Sequence, residues 1–179
     1  MQDDGFVGMF DQHAESLLAY ALRRLPTRHE AEDAVAETFA IAWRRREAMP
    51  AEALPWLYGV AARVISNQRR SARRLERLRF KLAGEGRESP TDHVELLGER
   101  DAFACAFAGL SGSQMEILRL VAWEGLDTRE GAAALGCSQV AFKVRLHRAR
   151  RELEKRMAHA GHVGEVTARP GRRSGIESP

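Results

Sequence analysis

Only two cysteines, Cys105 and Cys137, stand in a chain of 179 residues. Neither has a second Cys or a His at metal-ligand spacing, so no zinc site is legible. A helical chain of this size has no need of a disulfide framework. Cys137 reads as a small buried side chain rather than a redox sensor. No apolar run approaches membrane-spanning length, and no signal-peptide pattern opens the chain. No membrane insertion and a cytoplasmic location are therefore expected. Paired carboxylates with a metal-site pattern are missing. So are a Ser or Cys nucleophile beside a base and a Gly-rich phosphate cradle. An enzyme is not expected, nor a cofactor or a metal. Asp33 and Glu37 lie one helical turn apart, but no other ligand accompanies them. His159 and His162 likewise lack a third ligand. Strand alternation and internal repeats are also absent, which leaves an all-α chain.

Hydrophobic residues make up 44%, enough for a packed core. The net charge is only +3, so a uniformly polycationic or polyanionic chain is excluded. The distribution is not mild, however. His29 to Glu37 carries Glu30, Glu32, Asp33 and Glu37. Arg63 to Lys81 carries Arg63, Arg69, Arg70, Arg73, Arg74, Arg77, Arg79 and Lys81 against only Glu76. Segregated charge points to two kinds of partner, one cationic and one anionic.

The first 25 residues or so read as one helix, with Phe6, Met9, Phe10, Leu17, Leu18, Ala21, Leu22 and Leu25 as its apolar face, and Pro26 ends it. Thr27 and Glu30 then form a capping box. In the helix that follows, Ala34, Val35, Thr38, Phe39, Ala42 and Trp43 make the buried stripe. Asp33, Glu37 and Ile41 lie toward another side. Pro50 and Pro55 bracket a loop. A third helix is predicted from about Trp56 past Arg74. Its apolar positions are Trp56, Leu57, Val60, Ala61, Val64, Ile65, Ala72 and Leu75. Arg63, Asn67, Arg70 and Arg74 share the opposite face, where guanidiniums suit phosphate contacts. Residues 83–91 are rich in Gly, Ser and Pro and read as a flexible linker between two small helical domains, 1–82 and 92–158. The second begins with a helix from about Asp92 to Ala108. A capping box at Ser111 and Gln114 precedes a further helix, Met115 to Trp123, which Gly125 ends. Residues 159–179 are predicted to be a disordered tail.

Between Leu126 and Arg156 the local signals converge. Asp127 and Glu130 form a third capping box on a short helix, Thr128 to Leu135. Gly136 can take positive φ, and Ser138 can cap the next helix. There Phe142, Leu146, Ala149 and Leu153 share one face. Lys143, Val144, His147, Arg148 and Arg151 point away. This pattern describes a helix-turn-helix whose second helix carries a cationic outer face suited to the major groove. Gly131 lies inside the first helix of the motif. Glycine costs up to about 1 kcal/mol there relative to Ala, so loose packing is expected.

Three stretches resemble the bacterial sigma factors. AEDAVAETFAIAWRR resembles their core-polymerase-binding helix, and PWLYGVAARVISNQRR their promoter-melting helix. LSGSQMEILRLVAWEGLDTREGAAALGCSQVAFKVRLHRARREL resembles their second conserved domain. The order and the short linker are similar to the extracytoplasmic-function group. The resemblance implies that Asp33, Glu37, Thr38 and Ile41 face core RNA polymerase. It implies that Arg63, Asn67 and Arg70, with Arg74 on the same face, track single-stranded promoter DNA at the −10 element. The loop from Glu47 to Leu54 is similar in place to one that receives a flipped base. Lys143, Val144, His147 and Arg148, with Arg151 beside them, would face the −35 duplex. An anti-sigma factor is a further implied partner. Two other classes stay open at this point. One is a dimeric helix-turn-helix regulator on a palindromic operator. The other is an enzyme acting on nucleic acid.

Overall fold

The computed structural model describes residues 2–83 and 98–167, with side chains for 5–79 and 102–159. Among these residues the chain is α-helical throughout and holds no strand. The helices are α1 (Gln2–Leu22), α2 (Arg28–Arg44), α3 (Ala53–Ala83), α4 (Gly98–Ala108), α5 (Gly112–Ala122), α6 (Thr128–Leu135) and α7 (Gln139–Thr167), with a single 3-10 turn at Arg46–Ala48.

The ends of these helices form where side chains satisfy orphan backbone donors. The Thr27 hydroxyl oxygen accepts the Glu30 N–H at 3.2 Å and opens α2. Ser111 accepts the Gln114 N–H at 3.3 Å, and Gln114 Oε1 accepts the Ser111 N–H at 2.9 Å. Asp127 and Glu130 complete the same reciprocal box at α6, each bond 2.8 Å long. Ser138 Oγ accepts the Ala141 N–H at 3.2 Å and starts α7. Gly136 closes α6 with φ 61° and ψ 41°, and its N–H and that of Cys137 reach back to the carbonyls of Ala132 and Ala133. That left-handed closure is open to glycine at little cost.

Two compact units result. The first joins α1, α2 and α3 to Arg119–Val144, which holds the end of α5, all of α6 and the start of α7. Its core takes Leu17, Tyr20 and Ala21 from α1, Ala31, Ala34, Phe39 and Ala42 from α2, and Leu57, Tyr58, Ala61, Val64 and Ile65 from α3. Leu120, Leu126 and Ala134 complete it. The second unit takes α4, α5 as far as Leu118, and α7 from Arg145 onward. Ala106, Leu110, Ile117, Leu118 and Ala149 are buried in it. The partition is not linear in sequence: the segment that carries the motif's turn packs with the N-terminal helices.

Several expectations need correction. The third helix starts at Ala53 rather than near Trp56. Its apolar stripe stops at Ile65, and Leu75 is 50% exposed, because α3 outlasts the helices it packs against. Trp43, Phe10 and Leu22 are exposed rather than buried. The helix α7 continues to Thr167, into the segment expected to be disordered. No proline stands before Pro170 to break it. The expected linker, from 84 onward, the predicted helix start at 92–97 and the tail at 168–179 lie outside the described residues.

Candidate nucleic-acid interface

One side of α7 is spent on packing. Phe142 and Ala149 are both 0% exposed. Leu146 and Leu153 are half-buried on the same side. Helical geometry then turns Lys143, Val144, His147, Arg148 and Arg151 outward, and all five are exposed. The seat for Phe142 is Gly131 of α6. A Cβ at position 131 would lie 2.2 Å from Phe142 Cζ, so the ring fills the space a side chain would take. The expected looseness at Gly131 is thus corrected: the glycine is the socket into which the second helix locks.

In the second unit, His147, Arg148 and Arg151 line an open groove of about 780 Å³ together with Gln114, Glu152, Glu154 and Lys155. Val144, Arg148, Arg151 and Lys155 recur at spacings of four, three and four, so they form one row. Lys155 is not among the residues expected from sequence, although its spacing from Arg151 announces it. Arg156 points elsewhere. It pairs with Glu152 at 2.8 Å and its guanidinium lies over Gly109.

Along α3, Arg63, Asn67, Arg70 and Arg74 are exposed on one face, and Arg77 continues that row by one further turn. Arg70 donates a hydrogen bond to Asn67 Oδ1, which orients both side chains. Arg69 stands apart from this row and donates to the Arg24 carbonyl oxygen. Trp56 is half-buried against the core cluster, as a packing residue.

On α2, Asp33 and Glu37 are exposed one turn apart. His29 Nε2 lies 3.6 Å from Asp33. Ile41 is half-buried and packs on the core. Thr38 is 0% exposed and donates its hydroxyl proton to the Ala34 carbonyl at 2.7 Å. It therefore shapes this face from beneath and presents no group to a partner, a correction to its expected contact role.

Among the described residues no group of three His, Cys, Asp or Glu side chains is placed to hold a metal ion. No described helix is long and apolar enough to cross a membrane.

Two family models match the chain. Sigma-70 region 2 matches residues 9–75, and Sigma-70, region 4 matches residues 100–153. Over 157 residues the chain is 33% identical to the ECF RNA polymerase sigma factor SigL of Mycobacterium tuberculosis, covering 86% of this chain and 89% of that protein. The chain belongs to the extracytoplasmic-function sigma factors. As a sigma factor it directs RNA polymerase to promoters, and the dimeric operator-binding regulator is not favoured. The ECF sigma factor BldN of Streptomyces coelicolor is 29% identical over 158 residues, 85% of this chain and 60% of that protein. In fold, this sigma factor is similar to RpoE of Bartonella quintana, solved with the anti-sigma factor NepR, with a TM-score of 0.60 at 24% identity over 86% of this chain and 97% of that one. It is also similar to CnrH, solved with the cytosolic domain of CnrY, with a TM-score of 0.56 at 23% identity over 86% and 87%.

Proposed function

We propose that three surfaces divide the work of this sigma factor. The row on α7, Lys143, Val144, His147, Arg148 and Arg151, reads duplex at the −35 element, with Lys155 extending it along the backbone. The row on α3, Arg63, Asn67, Arg70 and Arg74, holds the −10 strand once it leaves the duplex. Asp33, Glu37 and Ile41 on α2 meet core RNA polymerase, with Thr38 supporting them from within. The chain makes and breaks no bond. Strand opening is driven by tighter binding to the melted state than to the paired one. The two matched regions act as domains tethered through residues 83–91, so each raises the effective concentration of the other on the promoter. The work is done in the cytoplasm. An anti-sigma factor, the kind of partner seen with RpoE, holds the chain inactive until a signal arrives.

The observation that carries this reading is the division of α7 into a packed side, anchored by the fully buried Phe142 and Ala149, and an exposed cationic side. An Arg148→Ala chain tests it. Run-off transcription from a −35-dependent promoter should fall about tenfold, the effect of losing ~1–3 kcal/mol of base contact. Retention on core polymerase should be unchanged. Equal loss in both assays would refute the division of labour.

A further inference from the structure

The exposed face of α7 changes character along its length. Past Val144 it presents His147, Arg148 and Arg151. At its start it is apolar: Val140 is 72% exposed and Val144 is 44% exposed. The two valines stand four residues apart, so they lie one above the other on one side of the helix. Phe142 sits midway between them in sequence. At about 100° per residue, each valine is turned roughly 160° away from that ring. The seat of Phe142 on Gly131 thereby fixes which way both valines point. The Ser138 cap on the Ala141 N–H fixes where the helix begins.

Two exposed valines bring the fold nothing. Both turn away from the packed side, and valine is a weaker helix former than alanine. Their place gives them a use. The second helix of a helix-turn-helix sets its N-terminal residues against base edges in the major groove. A valine has no hydrogen bond to offer there. Its apolar partner on a base edge is the C5 methyl of thymine. A β-branched side chain in a helix keeps to one strongly preferred χ1 rotamer, so its methyls form a preset surface with little freedom left to lose. Four residues of helix rise about 6 Å. Base pairs stack about 3.4 Å apart, so two such side chains can meet neighbouring pairs.

We propose that Val140 and Val144 are specificity residues that read thymine C5 methyls in the −35 element. The proposal rests on the −35 role assigned to α7 above and adds a chemical class of contact to it. It also adds Val140, which lies one turn ahead of the residues assigned there. The arginines supply charge to the phosphates, and the valines prefer a thymine to a cytosine, whose C5 carries only hydrogen.

The test uses the full chain on core polymerase. A promoter library randomised over the −35 element first yields the preferred duplex. Each −35 thymine in that duplex is then replaced singly by uracil, which removes the C5 methyl and leaves the hydrogen-bonding groups in place. Binding of the labelled duplexes is compared for the parent chain, Val140→Ala and Val144→Ala. For the parent, uracil at one or two neighbouring pairs should weaken binding about fourfold, which is ~0.8 kcal/mol, the worth of one buried methyl. Each alanine variant should bind the thymine duplex more weakly and lose the penalty for uracil at the pair its valine reads. Both sites are exposed and alanine is the better helix former, so the variants keep the fold. A preferred −35 element without thymine, or uracil without effect at every position, overturns the proposal. So does an equal uracil penalty in parent and variants, which would place the methyl's effect in the DNA itself. Loss of core polymerase retention with base preference unchanged would mean that a protein covers the valines, and overturns it too. Arg148→Ala, measured in parallel, keeps two failures apart. If it abolishes −35 dependence while uracil is harmless, α7 reads the element and the valines do not. If no α7 variant alters −35 dependence, the role of α7 itself fails.

Discussion

Glu124 and Arg24 bury their charges against each other across a hundred residues of sequence, each side chain 1% exposed. Charges are stable there because each is answered. The carboxylate receives Arg23 as well as Arg24, and the Arg24 guanidinium also donates to the Tyr20 carbonyl at 3.0 Å. Removing one partner leaves a buried charge uncompensated, which typically costs about 3–5 kcal/mol. Glu124→Gln should lower unfolding stability by roughly 3 kcal/mol, the low end of that range, since Arg24 keeps its stack on the Tyr20 ring. Urea unfolding measures it. A double-mutant cycle with Arg24→Met should show strong coupling, and strict additivity would contradict the pairing. The same substitution has a spectroscopic signature. Burial first, and then the Glu124 charge, push the Tyr58 hydroxyl above its ordinary pKa. In Glu124→Gln its ultraviolet titration should move down but stay raised by burial.

Gly131→Ala should destabilise the chain although alanine is the better helix former. The new methyl would collide with the Phe142 ring, and overpacking of this kind typically costs about 1–3 kcal/mol. Adding Phe142→Leu should recover part of the loss. Thermal unfolding of the two variants checks both statements, and a rise in Tm for Gly131→Ala alone would show that the ring does not fill that seat.

Burial holds the His13 imidazole below its ordinary pKa of 6.5. The unfolded chain therefore takes up this proton more readily than the folded one. The sign follows: the contribution to stability is fully present above about pH 6.5 and is lost as pH falls from there toward the lowered value. His13→Gln should flatten the pH dependence of urea midpoints in this window. An unaltered slope would place the titration elsewhere.

Asp127→Ala removes one half of the box that opens α6. A lost N-cap costs about 1 kcal/mol on average. Stability should fall by about that much, and exchange at the first turn of α6 should quicken more than exchange in α1.

The features legible in the sequence are those set within a few residues. All four caps, at Thr27, Ser111, Asp127 and Ser138, depend on a partner three residues on, and Gly136 announces its own turn. The two sides of α7 follow from helical period alone, which is why its outward row is legible without its surroundings. What stays hidden joins distant segments. Nothing near Arg24 in sequence suggests that it is buried, because its carboxylate comes from the turn after α5. The role of Gly131 is equally illegible, since it is defined by what another helix pushes into the vacant position. Thr38 shows the limit of analogy. Period puts it in the buried stripe, resemblance puts it on the polymerase-facing side, and the structure sides with period.

The helix α7 ties its packed side to its exposed cationic side by a fixed rotation. Each residue advances the helix by about 100°. One codon inserted between Phe142 and His147 would swing the whole downstream register by that angle, taking Ala149 off the packed side and turning the exposed row of Arg148, Arg151 and Lys155 with it. An insertion there should therefore cost stability as well as the exposed row, whereas single replacements at the exposed positions leave the packed side intact.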